Sequence, residues 1–198
     1  MKKNEKSICQ FKIILKDSSP PIWRRIQVEN SITLHRLSSI ILETMGWAGG
    51  HLHQFYVGDK FYNVPYEEPG FTRTIDEREV RLLDLGKKEI KKFLYEYDMG
   101  DGWEHELVLE KIIEPDQNAY YPVCIDGRRS CPPEDCGGIP GYEEFLKAIS
   151  NPKHPEYESM LEWIGEEFDP EKFDIKEVNE SLKNIDSAER FFDELQEL

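Results

Sequence analysis

Two stretches of the chain gather most of the side chains able to do chemistry. The first runs Tyr97-Asp98-Met99-Gly100-Asp101-Gly102-Trp103-Glu104-His105. Asp98, Asp101 and His105 fall there near one end of two extended segments, beside Tyr97 and Trp103. Carboxylates and an imidazole held together bind a metal or exchange protons. The same residue types also build turns, because Asp side chains accept from nearby backbone N–H groups, and a histidine on an aromatic face is an ordinary core residue. The spacing does not fit an EF-hand loop. The second stretch, residues 120–141 (YYPVCIDGRRSCPPEDCGGIPG), is rich in Pro, Gly and Cys. Pro132-Pro133 stiffen the chain and Gly137-Gly138 allow positive φ or a close backbone approach, so Glu134 and Asp135 between them are held at fixed positions. A rigid acidic loop of that kind suits a recognition surface.

Cys124, Cys131 and Cys136 follow a C-x6-C-x4-C pattern. Three thiolates and one histidine are a zinc ligand set, with His51, His53 or His105 as the fourth member. No Cys-x-x-Cys pair is present, so buried free thiols or a Cys131–Cys136 disulfide stand as alternatives. His51 and His53 share a face if their segment is a strand. G-x-S-x-G, P-loop, Rossmann-glycine and H-E-x-x-H patterns are all missing from the sequence, which weighs against an enzyme of those classes.

Forty acidic against 25 basic side chains give a formal charge of −15. A field of that sign repels phosphate backbones and disfavours general nucleic-acid binding. Arg24-Arg25, the lysines at 87–88 and 91–92, and Arg128-Arg129 are the candidates for a local basic patch. Ten Phe, nine Tyr and four Trp supply enough aromatic surface for a packed core, unlike a disordered chain. The first residues lack an apolar segment of signal-peptide length, and four cysteines without a secretion signal point to reduced thiols and a cytoplasmic protein.

The elements that must carry these residues follow from periodicity. Residues 8–16 and 22–28 read as strands around the Ser18-Ser19-Pro20-Pro21 turn. Thr33 or Ser31 caps a helix over 34–45, with Leu34, Leu37, Ile41 and Met45 on one face and Gly46 as its stop. Strands are expected at 51–58 and 60–64, a charged loop over 65–79, and an alternating pair at 92–98 and 103–113. Residues 120–141 are expected to be an irregular loop. Helices are expected at 142–150, 155–165, 175–184 and 187–198, the last capped by Ser187 with Phe191, Leu195 and Leu198 as its stripe. Strands first and helices last indicate an α+β fold with an antiparallel or mixed sheet and one packed helix in the first two-thirds, then a helical final third. The expected division is a core over 1–150 and a helical extension over 151–198 packed on the same domain.

An ordered series of pieces carries a family likeness: PPIWRRIQV (20–28), HLHQFYVG (51–58), DEREVRLLDL (76–85), FLYEYDMGDGWEHELVLEKI (93–112), YPVCIDGRRSCPPEDCGGIPGYEEFL (121–146) and LEWIGEEFDPEKFDIKEVN (161–179). The chain resembles the Ri-plasmid open-reading-frame-three-like family, also labelled insertion-element passenger TnpR proteins. The resemblance runs to Asn179 and leaves the last helix outside. It implies an α+β domain of this size in mobile-element and chromosomal neighbourhoods. A serine recombinase would need an activated Ser amid arginines and a basic DNA-binding region, and this acidic chain shows neither.

These readings lead to an expectation of a binding or regulatory module that recognises a protein or small ligand through residues 95–142. Tyr97, Asp98, Asp101, Trp103 and His105 form one wall, faced by Arg128, Arg129, Glu134 and Asp135. One alternative is a structural or hydrolytic metal site with zinc on Cys124, Cys131, Cys136 and a histidine such as His53. The other is a transposon accessory role in DNA transactions through Arg24, Arg25, Arg128 and Arg129.

Overall fold

The computed structural model describes residues 6–65, 74–86, 91–165 and 167–196. Its centre is an eight-stranded sheet. The strands are β1 (Ile8–Leu15), β2 (Trp23–Glu29), β3 (His53–Val57), β4 (Lys60–Asn63), β5 (Ile75–Asp76), β6 (Lys92–Tyr97), β7 (Trp103–Ile113) and β8 (Val123–Arg128). They lie in the order β5-β4-β3-β6-β7-β1-β2-β8. Every pairing is antiparallel except β4 with β5. The fold is therefore α+β with a mixed sheet, as the sequence pattern indicates.

Helix α1 (Leu34–Met45) starts where the Thr33 hydroxyl accepts from the Arg36 N–H at 3.1 Å. It stops where Gly46 takes a left-handed φ of 98°, a conformation glycine adopts without steric cost. Leu34, Leu37, Ile40, Ile41 and Met45 are buried, each contributing roughly 1.5–3 kcal/mol of apolar burial before ordering entropy is counted. Their partners in the core include Phe11, Phe55, Phe93, Tyr95 and Tyr97. Short α2 (Leu82–Gly86) is joined to the start of α1 through Leu34 N–H to Val80 O at 2.8 Å and Leu82 N–H to Ile32 O at 3.0 Å.

The final third holds α3 (Gly138–Ile149), α4 (Tyr157–Ile164) and α5 (Ile175–Gln196). Helix α5 packs on α1 and β8 and buries Leu182 and Ile185. Asn179 of α5 holds the backbone of Cys124 in β8 from both sides: its Oδ1 accepts from the Cys124 N–H and its Nδ2 donates to the Cys124 carbonyl, each at 2.8 Å. Among the described residues no helix is long and apolar enough to cross a membrane.

Four local expectations need correction. Residues 120–141 are not irregular throughout, because 123–128 pair with β2 as an edge strand; Asp126 and Gly127 hide its strand character, and the partner supplies the pairing. Gly127 packs so tightly that a Cβ there would lie 2.5 Å from the Phe173 ring. Helix α3 begins at Gly138 rather than Tyr142. The segment 175–196 is one helix with no break before Ser187, consistent with the lack of any Gly or Pro there; Leu198 lies outside the described residues. Finally, the supposed loop over 65–79 carries β5 and a 3-10 turn at Glu77–Glu79, while its residues 66–73 lie outside the described residues.

Candidate functional site

Alternation along β6 and β7 sends Phe93, Tyr95 and Tyr97 inward on one strand and Trp103, His105 and Leu107 on the other. Tyr97 faces Trp103 in register and Tyr95 faces His105. Trp47, just past the α1 stop, stacks on Tyr97 at 5.2 Å between centroids and tilts against Trp103 at 5.6 Å, and it meets the edge of His105 at 5.2 Å. Tyr97, Trp103 and His105 are thus buried; they support the surface instead of presenting it. Among the described residues neither ring nitrogen of His105 has a hydrogen-bond partner, nor does the Trp103 indole N–H. Burial pushes the His105 imidazolium down to about 4, opposed in part by backbone groups of Tyr95 and Trp103.

The turn between the strands is built by Asp98 and Gly102. Asp98 adopts φ 55°, its Oδ1 accepts from Gly100 N–H at 2.9 Å, and its own N–H reaches Leu52 O at 2.9 Å. This turn and the proline-rich loop do meet. The Tyr97 hydroxyl donates to Glu134 Oε1 at 2.5 Å, and Glu134 Oε2 accepts from Ala48 N–H at 3.2 Å. Trp47 Nε1–H donates to Pro132 O at 2.9 Å. Asp101 Oδ2 accepts from Gly137 N–H at 3.0 Å. Gly138, at φ 67°, lets its backbone approach so closely that a Cβ would lie 2.4 Å from the Asp101 carbonyl oxygen. Burial, then the Glu134 carboxylate, push the Tyr97 phenol upward. On the outer side, His51 lies 3.7 Å from Asp98 and 3.3 Å from Asp135.

Arg128 and Arg129 are not part of this contact. Arg128 ends edge strand β8 as an exposed residue. Arg129 donates to Glu171 at 2.9 Å and to Pro21 O at 3.0 Å. Arg24 and Arg25 do not combine with them into a cationic stripe either. Arg25 pairs with Glu110 and Asp126, and Arg24 is 3% exposed.

The cysteines are free thiols. Cys124 is buried on β8, its Sγ–H directed to Asp126 O at 3.4 Å. Burial raises the thiols of Cys124 and Cys131, and pushes Cys136 up to about 12 and Cys9 to about 11. The structure does not bring Cys124, Cys131, Cys136 and His53 into one ligand set. Among the described residues, the His and carboxylate groups close enough to share an ion are His35, His53 and Glu77, and separately His51, Asp98 and Asp135. Glu77 and His35 escaped sequence reasoning: the glutamate sits in a run of charges that reads as solvated loop, and the histidine reads as a surface or cap residue.

Beside the turn–loop contact lies a cleft of about 360 Å³. The end of α1 with Trp47 and loop residues Cys131, Pro132, Pro133 and Glu134 form one side, and Ile164, Phe168 and Phe173 from the C-terminal third form the other. Arg24 also lines it. Its Nε donates to Thr44 O at 2.9 Å, its Nη1 donates to Trp23 O and Arg128 O at 3.0 and 2.9 Å, and its guanidinium stacks on Phe173 at 4.7 Å. Burial lowers the Arg24 pKa, with the Cys131 and Cys124 thiols acting in the opposite direction. Among the described residues no carboxylate pairs with it.

The family described as plasmid pRiA4b ORF-3-like protein matches residues 7–177. The uncharacterized protein y4hQ of Sinorhizobium fredii (strain NBRC 101917 / NGR234) is 35% identical over 184 residues, covering 90% of this chain and 92% of that one. A crystal structure of MM3350, a protein of unknown function from Methanosarcina mazei Go1, superposes with a TM-score of 0.81 at 36% identity, covering 88% of this chain and 99% of that one.

Proposed function

The chain belongs to the plasmid pRiA4b ORF-3-like family, and from its site geometry we propose that it is a binding module whose cleft takes a small ligand or peptide end carrying a carboxylate. The carrying observation is Arg24, a buried cation at a cleft of about 360 Å³ with carbonyl acceptors but, among the described residues, no counter-ion. Small-molecule sites span roughly 300–1,000 Å³ and combine apolar walls with a few fixed polar groups. Buried charges are ordinarily paired, and a planar guanidinium suits a ligand carboxylate. Glu134, Glu167, Asp169 and Asp174 also line the cleft, beside a Lys172–Glu177 ion pair at 3.1 Å, and these carboxylates favour a positive group on the same ligand. An amino acid or peptide terminus carries both charges.

The hairpin's part in this reading is mechanical. Tyr97 fixes Glu134 and Trp47 fixes Pro132, so the aromatic cluster sets the position of one cleft wall. A preformed wall reduces the ordering cost of binding.

Isothermal titration with single amino acids, dipeptides, acetate and ethylamine tests the proposal. Zwitterionic probes should bind saturably and better than acetate or ethylamine. Arg24→Lys should weaken that binding at least tenfold, and Ile164→Trp should abolish it with the far-UV spectrum preserved. Failure of every probe at millimolar concentration, or binding indifferent to both substitutions, refutes it.

A further inference from the structure

Glu77 is 0% exposed and stands on the 3-10 turn after β5, facing the first turn of α1 and the start of β3. Its Oε1 contacts His35 Nδ1 and His53 Nε2, both at 2.8 Å. Its Oε2 is buried and, among the described residues, has no hydrogen-bond partner. Burial alone would raise the Glu77 carboxyl, but the two histidine contacts outweigh it and hold the group below its ordinary value. An ionised carboxylate withdrawn from water with one oxygen unsatisfied is costly unless a positive charge sits beside it.

We propose that His35, His53 and Glu77 form a binding site for a divalent transition-metal ion of the zinc type. The three groups each offer a ligand atom, and these atoms all lie within 4.8 Å of one another. Zinc takes imidazole nitrogen at about 2.0–2.1 Å and carboxylate oxygen at about 2.0–2.2 Å, which places tetrahedral ligand atoms roughly 3.3 Å apart. Opening the two 2.8 Å contacts by about half an ångström therefore admits the ion, a shift that side-chain rotation can supply. The neutral imidazole is the form that ligates, so the proton each ring shares with Oε1 moves to that ring's other nitrogen or to solvent as the ion enters, and acid competes with the ion for the site.

The scaffold is set for this. His53 lies on an inner strand flanked by β4 and β6 and rests against the Tyr95 ring at 5.6 Å. His35 sits in the capped first turn of α1, and the segment after Glu77 is pinned to that turn by Leu34 N–H to Val80 O at 2.8 Å. Three protein ligands leave a fourth position for water or another ligand, the arrangement of a reactive rather than a closed structural zinc centre. The site uses none of the cysteines and none of the residues lining the cleft, so it stands or falls apart from the cleft reading.

The test uses the full chain, stripped with a chelator and then titrated with zinc chloride or cobalt chloride. One equivalent of zinc should bind and raise the melting temperature. Bound cobalt should give tetrahedral visible bands without the near-ultraviolet charge-transfer band of a thiolate. Glu77→Gln and His53→Gln should each lower zinc affinity at least tenfold, whereas Cys131→Ser and His51→Ala should leave it unchanged. The cobalt spectrum of the unsubstituted chain keeps the test decisive should either ligand variant misfold. No zinc binding at tens of micromolar, a thiolate band, or affinity retained in folded Glu77→Gln would overturn the site.

Discussion

Replacing His105 with leucine should make the protein less sensitive to acid. Burial places the folded His105 imidazolium at about 4 against 6.5 for an ordinary histidine. Between those values the unfolded chain takes up a proton that the folded chain refuses, so stability falls as pH drops through that window. Each pH unit inside it is worth about 1.36 kcal/mol, and integration from pH 7.5 to 4.5 gives roughly 2.5 kcal/mol. The substitution removes that contribution, along with two ring nitrogens that lack partners. Urea unfolding followed by tryptophan fluorescence at several pH values measures it. Taking the difference between the two proteins at each pH cancels the other titrating groups. That difference should move in favour of His105→Leu by roughly 2.5 kcal/mol on acidification over this range. A difference that stays flat would mean that the imidazole is not confined in a dry, uncharged form, and the account of the aromatic cluster would fail.

The turn–loop contact and the β8 edge give further expectations. In a double-mutant cycle with Tyr97→Phe and Glu134→Gln, the charge-assisted hydrogen bond at 2.5 Å should show a coupling of about 1–2 kcal/mol, reduced by the partial exposure of Glu134; zero coupling would separate hairpin from loop. Gly127→Ala, whose Cβ would lie 2.5 Å from the Phe173 ring, should destabilise by about 1–3 kcal/mol through overpacking. Adding Phe173→Leu should recover part of that loss in thermal melts, and a purely additive second loss would contradict the packing argument.

What could be read from the sequence depended on whether a residue's role was local. The α1 cap at Thr33, its stop at Gly46 and the alternating faces of β6 and β7 follow from neighbours in the chain, and the structure has all three. The contact of Glu134 with Tyr97 was also within reach, because a proline-stiffened acidic loop needs something to rest on. Strand β8 was not legible, because Asp126 and Gly127 lower its strand propensity and only β2 makes it a strand. Glu77 was hidden for a related reason. Nothing in Asp76-Glu77-Arg78-Glu79 distinguishes the one glutamate that turns into the interior from its solvated neighbours, and only the juxtaposition of residues 35, 53 and 77 does so. Aromatic residues such as Trp103 attract attention as contact surface, yet here they form the buried support behind it.

Asn179 gives the sheet a finished border. A primary amide has the same donor and acceptor as a peptide group, and this one occupies the place on β8 where the backbone of a ninth strand would pair. Open strand edges invite another chain to add itself; at Cys124 the invitation has already been answered from within the molecule by one side chain on α5.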